Sequence, residues 1–302
     1  MMKMRIDPVE RDVFGRALAA LNQARTRYVV AGSYATHHYT GIWRDTKDMD
    51  IFLVPEDASK ALAVLVKAGF DAGMVDRHWL AKAFKGEYMV DLIFGQGNWL
   101  NPIDHMWFDR ADSGLLFGHR VRFSPVEEVI WSKAYVAHRE RYDGADVMHL
   151  IRYAHDKIDW DHLVARFGDH WELLFSYLVL YRFVYPSERD DIPPRIIHEL
   201  TSRLDREVDQ TPFPERICRG TLIDRFSYIY DVEQKGYVDP RDELARAWGY
   251  PVEDVVHERT WARGMLRQVA NGNEEGRSKR DDLFFNIGEN DETDTHIEQS
   301  GH

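Results

Sequence analysis

Three short apolar runs, Tyr28–Ala31, Met49–Val54 and Tyr88–Phe94, punctuate the first third of the chain, and segments of helical periodicity stand between them. Apolar runs of this length, bounded by turn residues, read as strands. A sheet built from them needs helices packed on it to bury its apolar face. Asp7-Pro8-Val9-Glu10 supplies a cap, a proline for the first turn and an acid at the capping-box position. Val13, Phe14, Ala17, Leu18 and Leu21 then recur at helical spacing. Gly32-Ser33 opens a short helix through Tyr39, Glu56–Ala68 is an amphipathic helix stopped by Gly69, and Arg120–Phe123 adds a fourth strand. The alternation predicts a small α/β domain over residues 1–123.

From Ser124 the pattern becomes helical. Ser124-Pro125-Val126-Glu127 combines a cap, a proline and an early acid. Further helices are expected at Gly144–Ala154, Trp160–Phe167, His170–Phe183, Pro194–Glu207 and Glu253–Val269. Residues 124–270 are therefore expected to form a helical C-terminal region. After Asn271, Asn, Gly, Glu and Asp dominate, so 271–302 is expected to be a disordered acidic tail.

Composition narrows the function classes. The lone cysteine, Cys218, excludes an internal disulfide framework and a cysteine-based zinc cluster. The start has no apolar signal core, and the most apolar stretch, Leu173–Tyr181, ends at Arg182, short of the roughly 20 residues that span a bilayer. A cytoplasmic protein with no membrane partner is expected. The net charge of −12 disfavours a sequence-independent nucleic-acid binder. Nine acids against three bases in 271–302 supply half of that charge, however, so it weighs little against an RNA substrate.

The chemistry sits on the strands. In Asp48-Met49-Asp50-Ile51, the two aspartates share one face, because side chains on a strand alternate. Carboxylates held this close either shift their pKa or share a cation, and hard divalent ions suit such oxygen ligands. The plainer alternative is a pair of solvated acids at a strand end. Asp91 interrupts the apolar run Tyr88–Phe94 and needs a partner if buried. It either joins Asp48 and Asp50 or faces water from an edge strand. Gly32-Ser33 lies between a strand and a helix, where free N–H groups can bind an anion, or where Ser33 simply caps a turn. Lys133 falls on the apolar face of its helix with Val126, Val129, Ile130, Ala134 and Ala137. It either snorkels or meets an anion.

Strand, Gly-Ser, helix, then Asp-x-Asp on the next strand and a lone Asp on a third: this order resembles the DNA polymerase β-like nucleotidyltransferase superfamily. The motif stands here as Val29-Val30-Ala31-Gly32-Ser33, then Asp48-Met49-Asp50-Ile51, then Asp91. The run Arg44-Asp45-Thr46-Lys47-Asp48-Met49-Asp50 is similar to small bacterial nucleotidyltransferase-like proteins related to the toxins of abortive-infection toxin–antitoxin systems. So are the helix Pro125–Lys133 and the segment Arg139-Glu140-Arg141-Tyr142-Asp143-Gly144-Ala145-Asp146 after it. The resemblance covers residues 28–150. It departs from the commonest pattern in having Gly-Ser for a double glycine and a slightly long gap to Asp48.

The resemblance implies a nucleotidyltransferase fold with a short mixed sheet. It implies Mg²⁺ (or Mn²⁺) on Asp48, Asp50 and Asp91, with Asp91 as ligand of a second metal or as base. Gly32 and Ser33 would cradle the phosphates of a nucleoside triphosphate such as ATP, and Lys133 and Arg44 would neutralise phosphate charge. The implied reaction moves a nucleoside monophosphate to a hydroxyl of tRNA, protein or a small molecule and releases pyrophosphate. Rival readings are a catalytically silent nucleotide-binding or antitoxin-like protein on the same fold, and a small-molecule modifier of aminoglycoside type. His37-His38, Trp79 and Trp99 can touch nucleotide but also suit a core, and the stripe Arg259, Arg263, Arg267 suits a solvated face or tRNA phosphates.

Overall fold

The computed structural model describes residues 6–100 and 102–258. Helix α1 (Pro8–Gln23) starts as its sequence predicts: the Asp7 carboxylate accepts from the Val9 N–H at 2.7 Å, and Glu10 takes the reciprocal bond from the Asp7 backbone. Then follow β1 (Val29–Val30), α2 (Gly32–Thr40), β2 (Asp48–Phe52), α3 (Pro55–Lys67), β3 (Asp71–Asp76), β4 (Leu80–Lys85) and β5 (Tyr88–Ile93). A short α4 (Met106–Asp109) precedes the hairpin β6 (Asp112–Leu116) and β7 (His119–Phe123). The rest is helical: α5 (Val126–Ala134), α6 (Gly144–Ala154), α7 (Trp160–Phe167), α8 (Trp171–Val184), α9 (Pro194–Val208), α10 (Ile229–Lys235) and α11 (Pro240–Ala247).

The strands form one mixed sheet in the order β3-β4-β5-β2-β1-β7-β6. Strand β2 runs parallel to β5 and β1 parallel to β7, and the other neighbours are antiparallel. The mixed α/β class and the helical second half agree with expectation, but the sheet has seven strands instead of the four anticipated. Strands β3 and β6 sit at the sheet's outer edges and are built from Asp, Gly and Ser among apolar residues, so neither carries an alternating signal. Strand β4 is disguised by Lys82, which is buried inside the sheet.

One face of the central strands is apolar: Met49, Ile51, Val90, Leu92, Ala81 and Ala83 are fully buried, with α1 and α3 packed on this side. The other face carries Asp48, Asp50, Asp91 and Lys82, by strand alternation and by the pairing of Asp50 and Lys82 with Asp91. One continuous buried cluster runs from Val13 to Leu222, so residues on both sides of position 123 share it. A smaller cluster joins Trp99 to Ala245 and Val255.

The start of α5 departs from expectation. Pro125, not Ser124, occupies the cap position, and the Ser124 hydroxyl is buried without a hydrogen bond. Ser124 is held by its backbone instead, its N–H on the Val30 carbonyl and its carbonyl taking the Tyr39 hydroxyl. The two acids that follow turn inward. Glu127 accepts from the Asp159 N–H at 2.7 Å, and Glu128, fully buried, binds Arg166 at 2.7 Å and His162 at 3.1 Å. These bonds fasten α5 to α7. Of the helix expected over 253–269, residues 252–258 are helical. Its remainder, with Arg259, Arg263 and Arg267, lies outside the described residues, as does the expected tail 271–302. No helix among the described residues is long and apolar enough to cross a membrane.

Removing one member of a buried charged pair strands the other, at a cost of about 3–5 kcal/mol. Glu128→Ala should therefore lower the unfolding free energy by about that amount in urea denaturation, and Glu128→Gln, which keeps hydrogen bonds to Arg166 and His162, should lower it less.

Candidate active site

Strands β2 and β5 bring the three predicted acids onto one surface. Asp50 lies directly opposite Asp91 in the parallel ladder, and Asp48 precedes Asp50 by two residues. Strand β5 is internal, between β4 and β2, and Asp91 is only 6% exposed, so the reading of Asp91 as a solvated edge residue fails. Burial, then the negative charges of Asp48 and Asp91, push the Asp50 carboxyl up to about 8. Burial raises Asp91 to about 6 against the pull of Lys82, whose ammonium stands 3.4 Å from Asp91 Oδ1. Lys82 is register partner of Asp91 on β4 and is itself buried. No local signal marks Lys82, because none marks β4.

Gly32 is the steric complement of Asp50. A Cβ at position 32 would stand 1.7 Å from Asp50 Oδ2 and 2.7 Å from its Cγ. The residue also has φ +53°, which glycine adopts without strain. The Ala31 N–H donates to the Asp50 carbonyl at 2.9 Å and pins the turn to β2. Helix α2 thus begins against the acids, with the unpaired N–H groups of its first turn and Ser33 at the rim of the same cleft.

The cleft has a volume of about 460 Å³. Gly32, Ser33, Asp48, Asp50, Asp91 and Lys133 all line it, which unites six of the seven predicted site residues. Lys133 is buried as its helical position predicts, but its charge goes to Asp143 at 3.1 Å and Asp146 at 2.8 Å. Arg44 is the exception. It does not line the cleft, and its guanidinium binds Asp146 at 2.8 Å, because the loop after α2 carries it over the start of α6. Arg141 lines the cleft, binds Asp143 and feels the charges of Asp50 and Asp48. Its segment, 139–146, holds five charges in eight residues, and no local signal singles one of them out. His37 packs on Trp43, and His38 binds Asp112 at 2.9 Å and stacks on Phe123, so both are structural. Trp99 is in the small cluster, while Trp79 lines the cleft.

Do these residues suit a divalent cation? Among the described residues no three Asp, Glu, His or Cys side chains stand close enough together to cage an ion. The Asp48 carboxylate is turned to the Thr46 hydroxyl and Asp91 leans toward Lys82. Mg²⁺, however, is usually held by one or two carboxylates, water and substrate phosphates and does not need an all-protein cage. Asp91 Oδ1 is buried with no hydrogen bond besides its ion pair with Lys82, and burial and the neighbouring acids leave the Asp50 carboxylate short of cationic compensation. The donor set fits the ion.

No family model matches the chain, and no curated protein matches it. Among solved structures, it is similar to an antigenic nucleotidyltransferase-like protein from Paracoccidioides brasiliensis, with 16% identity and TM-score 0.40 over 62% of this chain and 93% of that one. It is also similar to JHP933 from Helicobacter pylori, with 12% identity and TM-score 0.37 over 68% and 97%. A third likeness is to ANT(2")-Ia, solved with adenylyl-2"-tobramycin, with 14% identity and TM-score 0.36 over 65% and 99%.

Two outcomes follow. Gly32→Ala should displace Asp50 and destabilise the fold, a loss of cooperative unfolding temperature that Asp50→Gly in the same chain partly relieves. The second concerns pH. The folded value of Asp50, about 8, lies above the ordinary 3.8, so the folded chain retains a proton that the unfolded chain releases. Metal-free stability should fall as pH rises from about 4 to about 8. Asp50→Asn should flatten that fall in thermal unfolding, and saturating Mg²⁺ should offset it in the wild type only.

Proposed function

We propose that this chain is a metal-dependent nucleotidyltransferase that moves a nucleoside monophosphate from a nucleoside triphosphate to a hydroxyl acceptor. The observation that carries this reading is the placing of Asp48, Asp50 and Asp91 on one sheet face, with the α2 N-terminus abutting Asp50 at the same cleft. Three carboxylates at a helix N-terminus serve little purpose in a protein that merely packs.

In this reading Asp48 and Asp50 hold Mg²⁺ (or Mn²⁺) together with the triphosphate. The ion, when bound, screens the phosphate charge and stabilises the charge that develops on transfer. Ser33 and the free N–H groups of α2 bind phosphate oxygens. Arg141 reaches the same end of the cleft, and Lys133 orders the segment that carries Arg141 by gripping Asp143. The acceptor hydroxyl oxygen bonds to the α-phosphorus, the bond from that phosphorus to the β-bridging oxygen breaks, and pyrophosphate leaves. The hydroxyl proton passes to Asp91, whose raised pKa of about 6 makes it a better base than an ordinary aspartate and still ionised at neutral pH.

The test is incubation of the chain with each α-labelled nucleoside triphosphate, Mg²⁺ and three acceptor pools: RNA, protein and small polyols. Label should enter one pool. Asp48→Ala/Asp50→Ala should cut the rate by roughly three orders of magnitude, from several kcal/mol of metal stabilisation at about 1.4 kcal/mol per tenfold. Undiminished transfer by the double variant would refute the assignment.

A further inference from the structure

The cleft changes character along its floor. Beyond Asp50 and Asp91 the same face continues with Phe52, Ile93 and Leu80, and then meets Trp79 and the loop Gly95–Asn98. Gly95 stands four positions after Asp91, two of them beyond the end of β5, roughly 13 Å at about 3.3 Å per extended residue. That is a span a nucleoside with its phosphates covers.

The loop is shaped around the indole of Trp79. A Cβ at Gly95 would fall 2.5 Å from the His78 carbonyl oxygen and 3.1 Å from Trp79 Cβ, so only glycine lets the chain pass this close. At Gly97 a Cβ would rest on the six-membered ring of the indole, at 3.4 Å from two of its atoms. Backbone thus covers the ring at Gly97, while Trp79 is half-buried and lines the cleft. Between the two glycines, Gln96 also lines the cleft, and its amide Nε2, buried beneath the cleft surface, has no hydrogen-bond partner. A backed indole beside an unspent amide donor suits a flat, π-faced group with acceptor atoms on its edge.

We infer that Trp79, backed by Gly97, is the platform on which the base of the donor nucleotide stacks, and that Gln96 reads the base edge. This rests on the nucleotidyl-transfer reading, and it makes that loop the place where one triphosphate is preferred over another. Stacking of a base on an aromatic ring is sequence-tolerant, so Trp79 supplies affinity for any base and Gln96 supplies the discrimination.

The experiment is calorimetric binding of the four nucleoside triphosphates and of inorganic tripolyphosphate, each with Mg²⁺, to the full chain and to Trp79→Ala, Trp79→Phe and Gln96→Ala. Trp79→Ala should weaken every nucleoside triphosphate about tenfold or more and leave tripolyphosphate unchanged. Trp79→Phe should retain most of the affinity. Gln96→Ala should narrow the spread among the four bases. Wild-type affinity for nucleotides in Trp79→Ala overturns the inference. An equal loss of tripolyphosphate also overturns it, because Trp79 then holds the cleft's shape and not a base. Wild-type chain that binds tripolyphosphate as tightly as any nucleotide overturns it and leaves the transferase reading standing. Wild-type chain that binds neither takes both down.

Discussion

Asp50 can stand where it does only because residue 32 has no side chain. The 1.7 Å approach that a Cβ would make to its carboxylate ties three elements into one constraint: the turn that ends β1, the first turn of α2, and the strand β2 that carries the acids. The backbone bond from Ala31 to the Asp50 carbonyl holds the same contact from the other side. Two features that look independent in the sequence, Gly-Ser and Asp-x-Asp, are thus the two halves of one packing contact. The free N–H groups of α2 cannot move relative to the carboxylates without breaking it. A helix N-terminus favours negative charge, and here the charge it abuts is short of compensation.

That shortage comes from how the cleft distributes its ions. Lys133 and Arg141 are held by Asp143, and Asp146 takes both Lys133 and, from the loop after α2, Arg44, so these cations are largely matched by the acids of the 143–146 segment. On the sheet, Lys82 is the partner of Asp91 at 3.4 Å, while Asp50 faces Asp48 and Asp91 with distant cations only. The result is a cleft with acids on its floor and spent bases on its wall. Such a site is poorly suited to a bare triphosphate and well suited to one that arrives with its own divalent cation, which is why the charge pattern supports metal-dependent transfer over simple anion binding.

How much of this was legible follows from which signals are local. The spans of α6 and α7 could be read from the sequence pattern, because local periodicity decides them. Asp48, Asp50 and Asp91 could be read because a charge in a short apolar run is conspicuous. Strand β4 could not, since Lys82 makes sense inside a sheet only once its ladder partner Asp91 is known. Arg44 shows the reverse: its distance along the chain from Asp48 is short, but its partner, Asp146, lies about a hundred residues away. Ser124 looked like a cap because it precedes Pro125, yet the Val30 and Tyr39 contacts fix its backbone and leave its hydroxyl idle. Long-range pairing, not propensity, decided each of these.

The far wall of the cleft comes from the last described part of the chain. Thr221, Leu222 and Arg225 line it, and none of them is near the acids in sequence. They are set by a buried ionic cluster: Thr221 bonds Asp239 at 2.9 Å, Asp239 pairs with the almost wholly buried Arg241, and Glu258 takes Arg225, Arg241 and the Trp99 indole N–H. Buried ion pairs add little net stability over apolar packing, but they tolerate few geometries. Their use here, where a segment far from the sheet in sequence must be held against it, trades stability for position. His78, one residue before Trp79, completes the arrangement by binding Asp254 at 2.8 Å and packing on Trp99 and Tyr250. The loop that shapes the aromatic end of the cleft and the wall opposite it are therefore fastened to the same C-terminal residues, 250–258, and cannot shift independently of one another.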